Sequence, residues 1–357
     1  MASKPSSPDS KQESTKAKAS IATDFNPDTI TLQTFRTLLS HYPQTLKQVH
    51  QNKLVQKLQP KPKKGAKTNN CATPQTELSP TQKEHIKAEV EKFVTLDRWR
   101  YEGRPELLVR GKASEKVLNK EDLISIMQWK TTHGKYRPML MGMIKANDEK
   151  LIIKCTESAS SSLPNANSKL DLGSDSDLFP QKSLDALQPL RGVGVATASL
   201  ILSIATGFRE DHEQVPFYSD DLFLWLVVGE YPVTGLSEKG DSKSKSKSKF
   251  MRDGELNVKY NLNEYRELWG RCRELMRRLK IHEGYEEDPI SQNDIEKVAY
   301  VLRNIGASGL YDSTGTEVGK EVDVFAEESR KRKREGTTEK NVVKRASRSA
   351  TKAKAME

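Results

Sequence analysis

The chain has 357 residues, of which 35% are hydrophobic, 30% charged and 6% aromatic, and a net charge of +10. A chain this polar cannot bury all its length, so part of it is expected to stay unfolded. No apolar run approaches the roughly 18 residues of a membrane helix, and the N-terminus lacks an apolar signal-peptide core, so a spanning or secreted protein is not expected.

Three widely separated cysteines, Cys71, Cys155 and Cys272, exclude a disulfide framework and a CxxC metal knuckle and fit a reducing compartment. Six scattered histidines offer no ligand spacing, so no metal and no cofactor is expected. The positive charge sits at the ends. Residues 1–80 hold 12 Lys and Arg against 5 Asp and Glu, a net +7; residues 326–357 hold 11 against 5, a net +6; the middle, 81–325, carries −3.

Residues 1–80 read as a mostly disordered basic tail. Apolar residues at helical spacing, Ile30, Leu32, Phe35, Leu38, Leu39, Leu46, Val49, Leu54 and Leu58, predict one or two helices over about 29–58. Whether these dock on the rest stays open. A linker follows at 59–80. The core is predicted over 81–310, beginning with a helix capped by Ser79 or Thr81, with Pro80 in its first turn and Glu84 placed for a capping box from Thr81.

LDRWRYEGRPELL gathers Arg98, Trp99, Arg100, Tyr101 and Arg104, which either touch nucleic acid or merely pack Trp99 and Leu107 under a solvated rim. A helix runs from the Asn119 cap to Gly134. Its end, WKTTHGKYRP, interleaves Trp129, Lys130, His133, Lys135, Tyr136 and Arg137. Cations among aromatics suit a nucleic-acid face, and equally a helix C-terminus. Two short helices precede a Ser/Asp/Asn-rich loop at 158–178. A helix pair at 182–208 and an Asp-headed helix within 216–230 follow. Residues 236–254, with SKSKSKSK, read as a solvated linker. An amphipathic helix at 262–282 turns Arg266, Arg271, Arg273, Arg277, Arg278 and Lys280 to solvent, and a last helix spans 291–306. No alternating strand set is found. The fold class is all-α, followed by a disordered basic tail at 311–357.

Within the helix pair, Leu187, Leu190, Gly192, Val193, Gly194, Thr197 and Ala198 form LxxLxGVGxxTA. Gly192 and Gly194 permit positive φ and close backbone approach. The amides of the turn and of the following helix are free for an anion, and a DNA phosphate is the natural ligand, a contact that reads no sequence. This hairpin, followed by an apolar helix and then VPFYSDDLFLWL, resembles the helix-hairpin-helix DNA glycosylase superfamily over about 80–230, with 260–305 as returning helices.

The resemblance implies a helical glycosylase-like core, flipping of the target base, DNA contacts through Gly192, Val193, Gly194, Ala196, Thr197, Lys130, Lys135 and Arg137, and a catalytic Asp220 or Asp221. Four features depart from the family pattern: Ala196 stands where the family's lyase members carry lysine, the loop 209–214 lengthens the hairpin-to-Asp spacing, the four-cysteine cluster is missing, and Arg191 replaces a common Pro. Only a monofunctional N-glycosylase is then allowed at the usual place.

The alternatives are an aspartate pair that merely starts a helix and a non-catalytic DNA- or chromatin-binding scaffold keeping the fold, which the −3 core favours. KRKR at 331–334 and KR at 344–345 resemble a nuclear-import signal, so the nucleus is the expected compartment. DNA, with chromatin proteins at the tails, is the expected partner.

Overall fold

A computed structural model describes residues 24–59, 78–110, 117–164, 178–209, 213–232, 257–281 and 289–310. The expected tails up to residue 23 and from 311, the linker at 60–77, most of the loop at 158–178, the segment 236–254, the import-like run and Cys71 lie outside the described residues. Every regular element among the described residues is helical: α1 (Leu32–Ser40), α2 (Tyr42–Leu58), α3 (Pro80–Arg98), α4 (Arg104–Arg110), α5 (Lys120–His133), α6 (Pro138–Lys145), α7 (Glu149–Ser161), α8 (Gln181–Leu187), α9 (Val195–Thr206), α10 (Asp220–Phe223), α11 (Leu262–Ile281) and α12 (Gln292–Arg303). One π turn, Trp99–Gly103, joins α3 to α4, and another, Leu224–Val228, prolongs α10. The class is all-α.

Helix starts follow side-chain chemistry. Ser79 accepts from the Gln82 amide while Gln82 answers to the Ser79 amide, so the capping box of α3 is Ser79/Gln82 and not Thr81/Glu84. Asn119 and Asp122 do the same for α5, and Ser291 and Asp294 for α12. Asp148 caps α7. That helix runs to Ser161, so residues 158–161 are helical and not loop.

Helix α9 is apolar on every side and lies at the centre, with Leu200, Ile201, Leu202 and Ile204 at 2% exposure or less. Its hydroxyls anchor the chain that returns after it. The Ser199 Oγ accepts from the Tyr218 amide at 2.9 Å, and the Thr206 Oγ1 from the Val215 amide at 2.9 Å. Tyr265 of α11 donates its hydroxyl to the Pro216 carbonyl at 2.8 Å. The returning segment 213–219 is thereby fixed against the core, and it delivers Asp220.

Residues 24–59 belong to this body. Phe25, Ile30, Phe35 and Leu38 are buried, and the Trp225 indole donates to the Phe25 carbonyl at 2.8 Å. Arg278 donates to the carbonyls of Ile30 and Pro27, both at 2.8 Å. Arg271 pairs with Asp28 at 2.9 Å and also donates to the Leu226 carbonyl. These two α11 cations therefore hold the N-terminal segment, where the sequence predicted a solvated face.

A second correction concerns the stripe Ile86, Val90, Phe93, Asp97, Arg100, Tyr101, Arg104. All of it is buried. Arg100 pairs with Glu296 at 2.6 Å, and Tyr101 donates to the other Glu296 oxygen at 3.0 Å. Asp97 accepts from Tyr42 and Trp129 at 2.9 and 2.8 Å. Arg104 pairs with Asp122 at 2.7 Å and donates to the Val117 carbonyl at 2.7 Å. Arg100 and Arg104 thus neither reach a nucleic acid nor form a solvated rim. They tie α3, α5, α9 and α12 together from inside.

Candidate functional site at the helical hairpin

The hairpin is built from α8, the turn at 188–194, and α9. Leu187 and Leu190 are buried. Gly192 sits at φ 81°, and a Cβ there would lie 3.2 Å from the Met143 Cβ and 3.3 Å from a Leu140 methyl of α6. Both the backbone conformation and the close approach therefore require glycine. Gly194 differs from the expectation. It is the N-cap of α9 in extended conformation, φ −97° and ψ −176°, and a Cβ there would meet nothing within 4 Å. Asn147 clamps the turn, accepting from the Arg191 amide at 2.8 Å and donating to its carbonyl at 3.0 Å.

The expected contact residues divide. Val193, Ala196 and Thr197 are buried and face the packing. Gly194, Lys135 and Arg137 are exposed, and Gly192 is half-buried. Of the aromatic and cationic run after residue 128, Trp129 and His133 turn inward, stacked at 4.5 Å. Burial, with Lys53 and Arg100 nearby, pushes the His133 imidazole well below its ordinary range, so it is neutral. Tyr136 and Met139 stay outside at 71% and 81% exposure, at the start of the α6 helix that carries the turn.

Lys130 is half-buried. Its Nζ donates to the Thr197 hydroxyl on α9 at 2.9 Å and lies 5.5 Å from the Phe217 ring centre. Desolvation lowers its pKa to about 7, with Arg137 adding to the shift and Asp220 opposing it.

Ser219 caps α10, its hydroxyl accepting from the Leu222 amide at 3.1 Å. The capping hydroxyl is Ser219's, so the two carboxylates are available for other contacts. The exposed Asp220 accepts from the Tyr260 hydroxyl at 2.7 Å. Tyr260 has a left-handed backbone, φ 51°, and its ring faces the Arg137 guanidinium at 5.6 Å. Asp221 is half-buried. Burial first, then Asp220, raises its pKa to about 7, against the opposing charges of Arg303 and Lys53. Lys53 in turn closes the C-terminal end of α5, donating to the His133 carbonyl at 2.7 Å.

Thus α5, the residue before α6, α9, α10 and the segment before α11 bring in Lys130, Arg137, Thr197, Asp220 and Tyr260, linked as Lys130 to Thr197 and as Asp220 to Tyr260 to Arg137. Sequence reasoning missed Tyr260, Lys53 and Arg303, which stand in no local motif. It did name Lys130, which continues the inward stripe Leu123, Ile126, Met127. Among the described residues, no group of three or more His, Cys, Asp or Glu is placed to hold a metal ion, and no helix is long and apolar enough to cross a membrane. Comparison with family models, with curated proteins and with solved structures finds no match.

Proposed function

We propose that the chain is a DNA-associated nuclear protein of the helix-hairpin-helix glycosylase type, hydrolysing the N-glycosidic bond of a base flipped out of the duplex. The observation that carries this reading is that Tyr260 joins the Asp220 carboxylate to Arg137 while Lys130 reaches Thr197 on the second helix of the hairpin. The hairpin's free amides, with Lys135 and Arg137, take backbone phosphates. Tyr136 and Met139, exposed beside the turn, suit insertion into the gap left by the flipped base. Asp220 stabilises positive charge developing on the sugar and orients the attacking water. Ala196 supplies no amine, so base release leaves an abasic site. The basic ends, +7 and +6, supply most of the salt-dependent affinity. The run at 331–345 carries the chain to the nucleus.

A second reading is favoured by the −3 charge of residues 81–325 and by the engagement of Asp220 with Tyr260. In that reading the chain binds DNA or chromatin proteins without catalysis. The deciding experiment incubates the full chain with duplexes carrying damaged or mismatched bases and measures free base by chromatography. Release of any base supports the glycosylase. No release across the panel, with duplex binding intact, leaves the binding protein.

A further inference from the structure

Helix α6 packs by one face and leaves the other uncovered. Ile144 is buried, and Leu140 is half-buried beside Gly192. Met139, Gly142, Met143 and Ala146 are exposed. Their spacing of i, i+3, i+4 and i+7 puts them on one stripe, about 10 Å long. Tyr136, Met139 and Met143 are three of the six exposed large apolar side chains among the described residues, so the uncovered apolar surface concentrates here. A Cβ on Gly142 would meet nothing within 4 Å, which leaves a notch between the two methionines. The charge around the stripe has one sign. Lys135 and Arg137 precede it, Lys145 stands at its end, and Arg191, whose amide is 2.8 Å from the Asn147 side chain, lies beside that end; all four are exposed. No Asp or Glu occurs between Asp122 and Asp148, or between Asp185 and Glu210. We propose that this stripe is a docking surface for an acidic amphipathic helix of a protein partner. The partner sets a leucine or an aromatic ring into the notch at Gly142 and its carboxylates against the flanking cations.

Shape and charge together select this occupant. Two turns of apolar surface match the apolar stripe of a second helix, and a glycine between larger residues admits a side chain from it. Methionine is unbranched and adapts to the side chains it meets. A cationic rim without acids selects a partner with the opposite charge. A duplex offers apolar surface only where a base is unstacked, and one or two side chains fill that gap. Gly142, Met143 and Ala146 would then stay uncovered. A second copy of the same face would set cation against cation. An anionic lipid surface suits a helix whose whole apolar face is free, whereas α6 turns Ile144 into the packing. The inference does not rest on the glycosylase reading. Met139 is shared with the duplex contact assigned above, so partner helix and duplex exclude one another.

The test measures, by fluorescence anisotropy, the binding of a labelled synthetic helix to the full chain. The helix carries leucine and phenylalanine on one face and glutamate on the other. One control peptide has lysine for glutamate. A second has serine for leucine and phenylalanine, and it measures simple attraction of acid to the basic ends. The expected result is binding at least tenfold tighter than either control, weakened at least tenfold by Gly142→Gln. Glutamine fills the notch without changing the charge and is a better helix former than glycine, so the melting temperature should not fall. Lys145→Glu should weaken the acidic helix as well. Equal binding of the leucine and serine peptides, or binding unchanged in Gly142→Gln, overturns the proposal. Other occupants overturn it in distinct ways. A loss of duplex affinity in Gly142→Gln with peptide binding intact assigns the stripe to DNA. A dimer in sedimentation that Gly142→Gln dissociates assigns it to a second copy. Cosedimentation with phosphatidylserine vesicles that the same variant abolishes assigns it to lipid. Base release from the damage panel decides the glycosylase reading separately, and neither result alters the other.

Discussion

Replacing Glu296 by Gln removes one charge from the most deeply buried ion pair of the described body. The Arg100 and Glu296 side chains are 1% and 3% exposed, with 2.6 Å between them. Two further guanidinium nitrogens of Arg100, Nε and Nη1, are buried without a hydrogen-bond partner, so Arg100 depends on this carboxylate. The amide keeps the shape of the carboxylate and can still accept one bond. It leaves the cation uncompensated among the Tyr101 and Trp129 rings, 3.8 and 4.4 Å away. Breaking a buried pair from one side costs about 3–5 kcal/mol. At about 2–4 °C per kcal/mol for a body of this size, the melting temperature should fall by about 6–20 °C in a thermal scan followed by circular dichroism. A double variant, Arg100→Met with Glu296→Leu, should recover a large part of the loss, because neither charge is then buried. A fall below about 2 °C in Glu296→Gln would refute the reasoning and show that water or Asp97 already compensates Arg100.

The hairpin glycines should behave unequally. Gly192→Val adds a β-branched side chain at positive φ against Met143 and Leu140 and should cost about 1–3 kcal/mol, whereas Gly194→Ala should leave the melting temperature almost unchanged. Asp221, raised from 3.8 to about 7, is a carboxyl that the folded state prefers protonated. Its contribution is complete below the unfolded pKa of about 4, is lost as pH rises to about 7, and is level above. Asp221→Asn should therefore match the wild type near pH 4 and melt above it at pH 8, the gap opening between the two; a gap that does not change with pH would show the carboxylate to be solvated. For duplex binding, the full chain should show a steeper dependence on salt than a chain trimmed to 24–310, since the trimming removes half of the net charge of +10, and equal slopes would place the phosphate contacts on the helical body.

Local chemistry was legible from residues alone where it is local. The Asn119 cap of α5 and the positive φ of Gly192 are each decided within four or five residues, and the apolar stripe of α11 from Tyr265 to Leu279 by its helical spacing. Partners distant in sequence were not legible. Arg100 and Glu296 are 196 positions apart, and a charged residue on an apolar stripe gives no hint of which distant helix answers it. The stripe from Ile86 to Arg104 did carry a signal, because its period of three and four continues unbroken when the residues become charged. Arg271 and Arg278 looked like surface cations because they donate to backbone carbonyls, of Leu226 for Arg271 and of Ile30 and Pro27 for Arg278, and a carbonyl acceptor leaves no mark in a sequence. The site divides in the same way. The hairpin and the aspartates are local motifs. The approach of Lys130 to Thr197 and of Tyr260 to Asp220 depends on how four helices pack.

The most direct measurement is base release by the full chain in wild-type, Asp220→Asn and Asp221→Asn forms on the same panel of duplexes, with melting temperature and duplex affinity measured alongside. Asparagine keeps the shape of each side chain and is also tolerated at a helix start, so loss of charge is the main change. The account predicts that Asp220→Asn lowers release by orders of magnitude while binding and melting temperature stay close to wild type. Release that is unchanged in Asp220→Asn and abolished in Asp221→Asn would contradict the assignment of the carboxylate. Release that is absent from the wild type on every substrate would contradict the enzymatic claim itself.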